Sequence, residues 1–165
     1  MLAIRRFPDP ILKHPTRRIE RFDAATRRLI DAMISTMRHH PRCVGLAAPQ
    51  VGRSVRLAVM DASQHPKADA THGLLILVNP ALDQMEGGSI GREGCLSVPD
   101  LTANVRRAAR VRLSAQDQAG AAYSVWLEGF EAVVVQHEVD HLDGALFLDR
   151  VANLRADVFP RKTYS

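Results

Sequence analysis

The residues best suited to chemistry in this chain are His137-Glu138-Val139-Asp140-His141. Two histidines four positions apart lie on one face of an α-helix, so both imidazoles can reach a single metal ion. On a β-strand the same two residues would be roughly 13 Å apart, which is too far for shared coordination. The glutamate after the first histidine would lie beside the open metal position, where it can accept a proton from water. The pattern indicates a helical metal site with Glu138 as the acid/base residue; the alternative is a solvated helix surface.

This pattern supplies only two ligands, so a third has to come from upstream. Phe147 stands six residues after His141, where some metalloproteases carry a third histidine, and no glutamate follows Glu138. The acidic residues that remain downstream, in no recognisable motif, are Asp143, Asp149 and Asp157. Cys95 follows a glycine, and its thiolate would suit a divalent transition metal, although a single cysteine is more often a small buried hydrophobe. A site made of Cys95, His137 and His141 with an open fourth position is typical of catalytic metal centres.

The elements that must position these residues follow from hydrophobic spacing. Asp23 suits a helix N-cap, apolar residues at helical spacing follow it, and the helix should end near His39-His40-Pro41. Short runs that suit strands cover residues 55–60, 74–78, 111–115 and 123–127. Residues 130–142 form the last long element, which the metal chemistry makes a helix although Val133-Val134-Val135 favours a strand by propensity. The order predicts an α+β fold: mixed or antiparallel strands packed around a C-terminal metal-binding helix, with an N-terminal helix.

The composition is that of an ordinary globular protein. We expect one domain over residues 1–165, because 46% apolar and 24% charged residues are usual for a chain that buries its own core. Two cysteines are too few for a disulfide framework and suit a reducing compartment. No apolar run approaches the roughly 18 residues of a membrane span, and the first residues do not resemble a signal peptide. We therefore expect a cytoplasmic protein with no membrane partner.

The net charge of +4 raises the question of a nucleic-acid partner. The basic pairs are scattered and not interleaved with stacking aromatics, so sequence-specific nucleic-acid binding is not expected. A solvated basic surface is the simpler interpretation, also for Arg106 and Arg107, and a weak attraction to the ribosome is the sharper one.

Three motifs in this chain resemble those of the peptide deformylase family. They are Gly45-Leu46-Ala47-Ala48-Pro49-Gln50, Glu93-Gly94-Cys95-Leu96-Ser97 and Gln136-His137-Glu138-Val139-Asp140-His141, in the family's order and spacing. The resemblance implies a metal-dependent hydrolase that removes the formyl group from the N-terminal formylmethionine of new proteins and releases formate. It also implies that the side-chain amide of Gln50 and the backbone N–H of Leu96 stabilise the negative charge on the formyl oxygen.

The resemblance further implies an apolar methionine pocket, a metal and a partner. Residues near the matching pocket positions are Val44, Gly45, Phe130, Val133 and Val134, each of which could equally serve the core or a tight turn. The expected ion in the cell is Fe(II), although a thiolate and two imidazoles also accept Zn(II), Ni(II) or Co(II). Nascent formylmethionyl peptides are the expected substrates. Some relatives carry a longer basic C-terminal helix that docks on the ribosome, so we expect at most transient ribosome contact here.

One residue departs from the family pattern. Cys43 stands where the first motif usually opens with glycine. If the backbone there needs a positive φ, a cysteine would cost about 1 kcal/mol. A second thiol near the site could also act as an alternative ligand or be sensitive to oxidation. Cys43 is the only support for a catalytically silent relative that binds formylated or acetylated N-termini. Phe147 and the absence of a glutamate after Glu138 argue against an unrelated zinc endopeptidase.

Overall fold

The computed structural model describes residues 1–162 of the chain. Its first long helix, α1 (Ala24–His39), begins where the sequence predicted, because the Asp23 carboxylate accepts a hydrogen bond from the Thr26 N–H and caps the helix. The helix ends before Pro41 and buries one face, formed by Ile30, Met33, Thr36 and Met37. The predicted N-terminal helix is confirmed.

An antiparallel five-stranded sheet forms the larger part of the β-structure. Its strands are β1 (Gly45–Ala47), β2 (Leu57–Met60), β3 (Leu75–Glu86), β6 (Arg110–Gln116) and β7 (Ala122–Glu128), in the order β1-β2-β3-β6-β7. Four of these strands overlap the predicted runs, whereas β1 was not predicted as a strand. The register pairs Gly45 with Met60, so the first sequence motif enters the sheet at its edge.

A second antiparallel sheet of three strands carries the Cys95 motif. It consists of β4 (Ser89–Cys95), β5 (Val98–Arg107) and β8 (Val158–Pro160), in the order β4-β5-β8. The sequence analysis did not predict any of the three. The turn between β4 and β5 is Leu96-Ser97, so Cys95 is the last residue of a strand and lies directly before a tight reversal.

The second long helix, α2 (Gly129–Leu142), contacts both sheets. Ten of its 14 residues are buried, as expected for a helix enclosed on several sides rather than lying on the surface. Burial explains the three consecutive valines, because Val134 and Val135 pack into the main hydrophobic cluster and Val133 is half-buried. Tertiary packing therefore stabilises the helical conformation here, although the three valines favour a strand by propensity.

Gln136 fixes the position of α2 against the β5–β6 turn. Its amide oxygen accepts from the Ala108 N–H at 3.0 Å, and its amide nitrogen donates to the Ala108 carbonyl at 3.0 Å. The same nitrogen also donates to the Ala132 carbonyl at 2.8 Å. One buried side chain thus satisfies both backbone groups of a residue in another element.

Within residues 1–162 there are also four short helical turns: 3₁₀ turns at Pro10–Lys13, Ala48–Val51 and Phe147–Arg150, and α3 (Leu154–Asp157). The predicted α+β fold with strands packed around a C-terminal metal-binding helix is confirmed, with every strand pair in the two sheets antiparallel. No helix in residues 1–162 is long and apolar enough to span a bilayer. Residues 163–165 of the predicted domain lie outside the described residues.

Candidate metal centre and active-site cleft

The three predicted metal ligands meet where β4 ends against α2. Potential ligand atoms of Cys95, His137 and His141 all lie within 4.8 Å of one another. The Sγ of Cys95 is 3.3 Å from the Nε2 of His141. A tetrahedral ion with bonds of about 2.0–2.3 Å would separate its ligand atoms by about 3.5 Å, so this donor set is close to the arrangement that a transition metal needs.

The protonation state of Cys95 also suits a metal. Burial by itself raises the pKa of this thiol, but the adjacent His141 and His137 outweigh burial and hold the pKa well below its ordinary value. The neighbouring histidines thus favour the thiolate, which is the form that binds a metal ion. Cys95 is 5% exposed, and the Ser97 N–H donates to its sulfur at 3.4 Å.

Glu93 orients His137. Its Oε2 lies 3.3 Å from the Nδ1 of His137, which leaves the opposite ring nitrogen available to an ion. Although burial opposes ionisation, hydrogen bonds from His137 and Arg107 hold the pKa of Glu93 at about 2. The carboxylate is therefore charged while almost fully buried.

Arg107 is buried, with only 6% of its surface exposed. The solvated face predicted for it from the sequence is therefore wrong. Its Nε and Nη2 donate to the two oxygens of Glu93 at 2.8 and 2.9 Å, and its Nη1 donates to Asp140 at 2.6 Å. Asp140 in turn accepts from Arg150 at 2.7 Å. This ion cluster, in which Glu93, Arg107 and Asp140 are buried and Arg150 is exposed, joins β4 and β5 to the metal-binding helix.

The sequence does contain a signal for the buried arginine. Side chains alternate between the two faces of a strand, and Arg107 is in phase with Ala103 and Val105, which are both buried. Glu93 is likewise in phase with Cys95. This alternation indicates a buried Arg107 and Glu93 only once β4 and β5 are known to be strands.

Glu138 lies between the ligands and the first motif. It is 3% exposed, and its Oε2 has no hydrogen-bond partner among the described residues. A Cβ on Gly45 would overlap this carboxylate, coming within 2.7 Å of its Cδ. The φ angle of Gly45 is not positive, so the glycine serves close approach rather than a tight turn. Burial raises the pKa of Glu138 to about 7 against the opposing effect of His137 and His141, which suits a residue that exchanges a proton near neutrality.

The amide of Gln50 is held in a single orientation. Its Oε1 accepts from the Ala47 N–H at 2.9 Å, so its Nε2 points the other way. That nitrogen donates to Cys95 Sγ at 3.3 Å and to Ser97 Oγ at 3.2 Å. Leu96 follows Cys95 in the turn and also lines the cleft. The two residues proposed from the resemblance for the formyl oxygen are thus beside the thiolate ligand.

A cleft of about 1060 Å³ opens over these groups. The five residues expected around a methionine pocket all line it: Val44, Gly45, Phe130, Val133 and Val134. His65, which the sequence analysis missed, stacks on the Phe130 ring at 4.3 Å between centroids. The loop that contains His65 is anchored to α2 by Glu131. The two oxygens of this carboxylate bind the backbone N–H and the ring Nδ1 of His72, each at 2.7 Å.

Cys43 has neither of the effects considered for it. The positive φ in this segment, 63°, belongs to Arg42 instead, so Cys43 bears no strain of that kind. Its thiol donates to the Gly45 carbonyl at 3.2 Å. Burial, together with the charge of Glu138, raises its pKa to about 12, so it stays protonated and is a poor ligand. The metal cluster contains Cys95 and not Cys43.

Fold and site define a metal-dependent hydrolase: two imidazoles and a thiolate beside a buried carboxylate, in an open cleft. A family model described as polypeptide deformylase matches residues 1–157. The peptide deformylase of Syntrophobacter fumaroxidans is 41% identical over 162 residues, which cover 98% of this chain and 93% of the relative. That of Dictyoglomus thermophilum is 44% identical over 149 residues, 89% of this chain and 90% of the relative.

Solved structures agree with the sequence relatives. The crystal structure of peptide deformylase from Thermotoga maritima matches with a TM-score of 0.85 and 37% identity, covering 93% of this chain and 99% of that one. The enzyme from Thermus thermophilus matches with a TM-score of 0.82 and 40% identity, covering 92% and 86%. The chain belongs to the peptide deformylase family, whose members are hydrolases that remove the N-formyl group from nascent peptides.

The two cysteines provide a direct test of the metal site. We expect Cys95→Ala to lose its metal or bind it much more weakly, because one of three ligand side chains is gone. Cys43→Ala is the matched control and should retain the metal content of the wild type, measured as metal per chain after desalting. Equal metal content in both variants would remove Cys95 from the ligand set.

Gly45 provides a test of the position of Glu138. In Gly45→Ala the new methyl group would push the carboxylate away, and a shift of about 1 Å can lower turnover by about 10²-fold. Metal content should stay unchanged, because the atoms nearest to this methyl group belong to Glu138 and not to a ligand. The control is Gly91→Ala in β4, where an added Cβ meets no atom within 4 Å. Comparable turnover in the two variants would show that Gly45 is not required for the carboxylate position.

Proposed function

We propose that Glu138 is the acid/base residue of deformylation in this chain, with Gln50 and Leu96 stabilising the formyl oxygen and Cys95, His137 and His141 holding the ion. The observation that carries the proposal is the buried Glu138 carboxylate, whose Oε2 lacks a partner within residues 1–162 and which lines the cleft together with Cys95 and His137. An unpaired buried carboxylate is costly, so a water or substrate proton is its natural partner.

The chain's own residues account for the proton transfers. Glu138 takes a proton from the attacking water, whose oxygen forms the new bond to the formyl carbon. The C–N bond then breaks, Glu138 gives the proton to the departing amine, and formate and a free N-terminus result. A bound metal ion would supply Lewis acidity, polarising the formyl carbonyl and making water more acidic. The Nε2 of Gln50, already aimed at Cys95, and the Leu96 N–H donate to the oxygen as its charge grows.

The methionine side chain of the substrate occupies the apolar wall of the cleft. Val44, Phe130, Val133 and Val134 provide this wall beside Glu138. An unbranched thioether side chain adapts to such a surface and gains by leaving water. The stack of His65 on Phe130 closes one side of the wall and supports the ring in place. Gly45 contributes by leaving room for the Glu138 carboxylate.

The resident ion in the cell is Fe(II), and Zn(II), Ni(II) and Co(II) also fit one thiolate and two imidazoles. The chain forms one catalytic domain over residues 1–165 and acts in the cytoplasm on nascent formylmethionyl peptides, with transient ribosome contact. The family resemblance supports the iron, the net charge of +4 supports a weak ribosome contact, and free cysteines are consistent with the compartment.

Replacing Glu138 by glutamine tests the acid/base role. Glu138→Gln keeps the shape of the side chain but cannot accept the proton, so we expect formate release to fall by about 10²- to 10⁴-fold. Metal content should remain that of the wild type. A parallel loss of metal would assign Glu138 to ion binding instead. A wild-type protein that binds formyl-Met peptide but releases no formate under oxygen-free conditions would leave only the silent binder.

The identity of the ion can be tested by pairing elemental analysis with activity. Protein prepared without oxygen should contain iron and show higher formate release per metal than the same protein reloaded with zinc. Exposure to air should reduce the activity of the iron form while leaving the zinc form unchanged. Equal activity per metal for the two ions would contradict the assignment of Fe(II).

A further inference from the structure

The C-terminal strand brings basic residues to the cleft that the chemistry above does not use. Strand β8 pairs with β5, with Phe159 opposite Thr102. Side chains on one face of a sheet recur every second residue, so Phe159 and Arg161 share a face with Thr102. Phe159, Arg161 and Lys162 all line the cleft next to Gly94 and Cys95.

Arg161 reaches across β5 to Gly94. Its Nη2 occupies the position that a Cβ on Gly94 would need, so the glycine makes room for the guanidinium beside the metal ligand Cys95. The backbone of Arg161 is fixed by its N–H, which donates to the Asp100 carbonyl at 2.8 Å. A guanidinium charge is thereby held one residue away from the metal site.

A second arginine stands on the same face. The guanidinium of Arg92 stacks on the Phe159 ring, 3.7 Å from its centroid, and its Nε donates to Asn104 at 3.0 Å. Phe159 thus contacts Arg92 directly, and Arg161 follows it two positions later in the chain. Within residues 1–162, neither Arg92 nor Arg161 forms an ion pair with a carboxylate. Both charges are therefore available to a ligand.

The cleft as a whole has an excess of positive charge. Its basic lining residues are Arg42, Lys67, Arg92, Arg161 and Lys162. Its described acidic lining residues, Glu93 and Glu138, are both buried at the base. Glu93 is neutralised by Arg107. Charge of one sign lining a cleft concentrates its field on a ligand of opposite charge.

We propose that Arg161 and Arg92 are specificity-determining residues that favour formylated peptides with an acidic side chain shortly after the methionine. The proposal rests on the proposed function, since it requires the formyl group to be at the metal centre. An extended peptide advances about 3.3 Å per residue, so the two or three residues after methionine pass the face that begins at Gly94. An aspartate or glutamate there meets two guanidinium groups, whereas a lysine is repelled.

The preference is measured with short amidated peptides, in which the side chain is the only anion. The series is formyl-Met followed by alanines, with one aspartate, alanine or lysine at the second, third or fourth position. At one or more positions the aspartate peptide should have a two- to fivefold higher kcat/KM than the alanine peptide, the range of exposed ion pairs. The lysine peptide should fall below both, and the differences should shrink at 1 M salt, where charges are screened within about 3 Å.

Variants connect the preference to these side chains. Arg161→Gln should lower the aspartate-to-alanine ratio toward one, mainly through a higher KM for the aspartate peptide, because a contact remote from the formyl group binds ground and transition states alike. Arg161→Lys should recover part of the ratio, and Arg92→Gln should also lower it. The matched control is Arg155→Gln in α3, which removes the same charge from an exposed position that does not line the cleft.

The outcomes separate this inference from the function on which it rests. Turnover of all peptides without a charge preference in the wild type overturns the specificity proposal and leaves deformylation intact. An equal loss in Arg155→Gln and Arg161→Gln also overturns it, because net charge would then be the cause. If Arg161→Gln changes ribosome co-sedimentation while the peptide ratio is unaltered, the basic face contacts nucleic acid instead. No formate from any peptide would contradict the proposed function itself.

Discussion

The guanidinium of Arg107 is the group on which the geometry of the metal centre depends. It comes from β5 and binds Glu93 on β4 and Asp140 on α2, so it joins the elements that carry Cys95 and the histidines. Removing one member of such a buried cluster typically costs about 3–5 kcal/mol, because the remaining charges are left uncompensated. Glu93 in turn accepts a hydrogen bond from the ring of His137 and so fixes the orientation of this metal-ligand side chain. The cluster therefore stabilises one position of α2 against β4 and β5. In that position Cys95 lies beside the two histidines.

A second constraint is steric and acts on Glu138. In the proposed role the carboxylate must be near the open metal position without being a ligand, and its Oε2 has no hydrogen-bond partner among the described residues. Contact with the backbone of Gly45 takes the place of such a partner. The first motif thus contributes twice: Gly45 limits where the carboxylate can lie, and Gln50 presents an oriented amide from the turn that follows. Both depend on β1 being paired at the sheet edge.

Much of the site could be predicted from the sequence because metal chemistry is more restrictive than local propensity. Two histidines four residues apart can bind one ion only on a helix, and this argument correctly predicted a helix despite the strand propensity of three valines. Because no third ligand was recognisable downstream, Cys95 was predicted as that ligand. The ion cluster could not be predicted in the same way. Glu93 and Arg107 acquire their roles only when β4 and β5 pair, and the run Gly91-Arg92-Glu93-Gly94 hides the strand, since glycines and charges are poor strand formers. Burial of Arg107 follows from alternation only after the strand is known.

The departure from the family pattern at Cys43 falls where the structure tolerates it. Cys43 takes a place usually filled by glycine, yet its neighbour Arg42 has the positive φ and its thiol donates to a carbonyl. The C-terminal strand adds Arg161 to the cleft without touching the ion cluster beneath it. A half-buried charge without a carboxylate partner in residues 1–162 contributes little to stability, so it can change without disturbing the buried groups. The groups proposed for catalysis are fixed by burial and pairing, whereas the proposed preference among substrates depends on the face of β4, β5 and β8 that lines the cleft, where a single side chain can alter it.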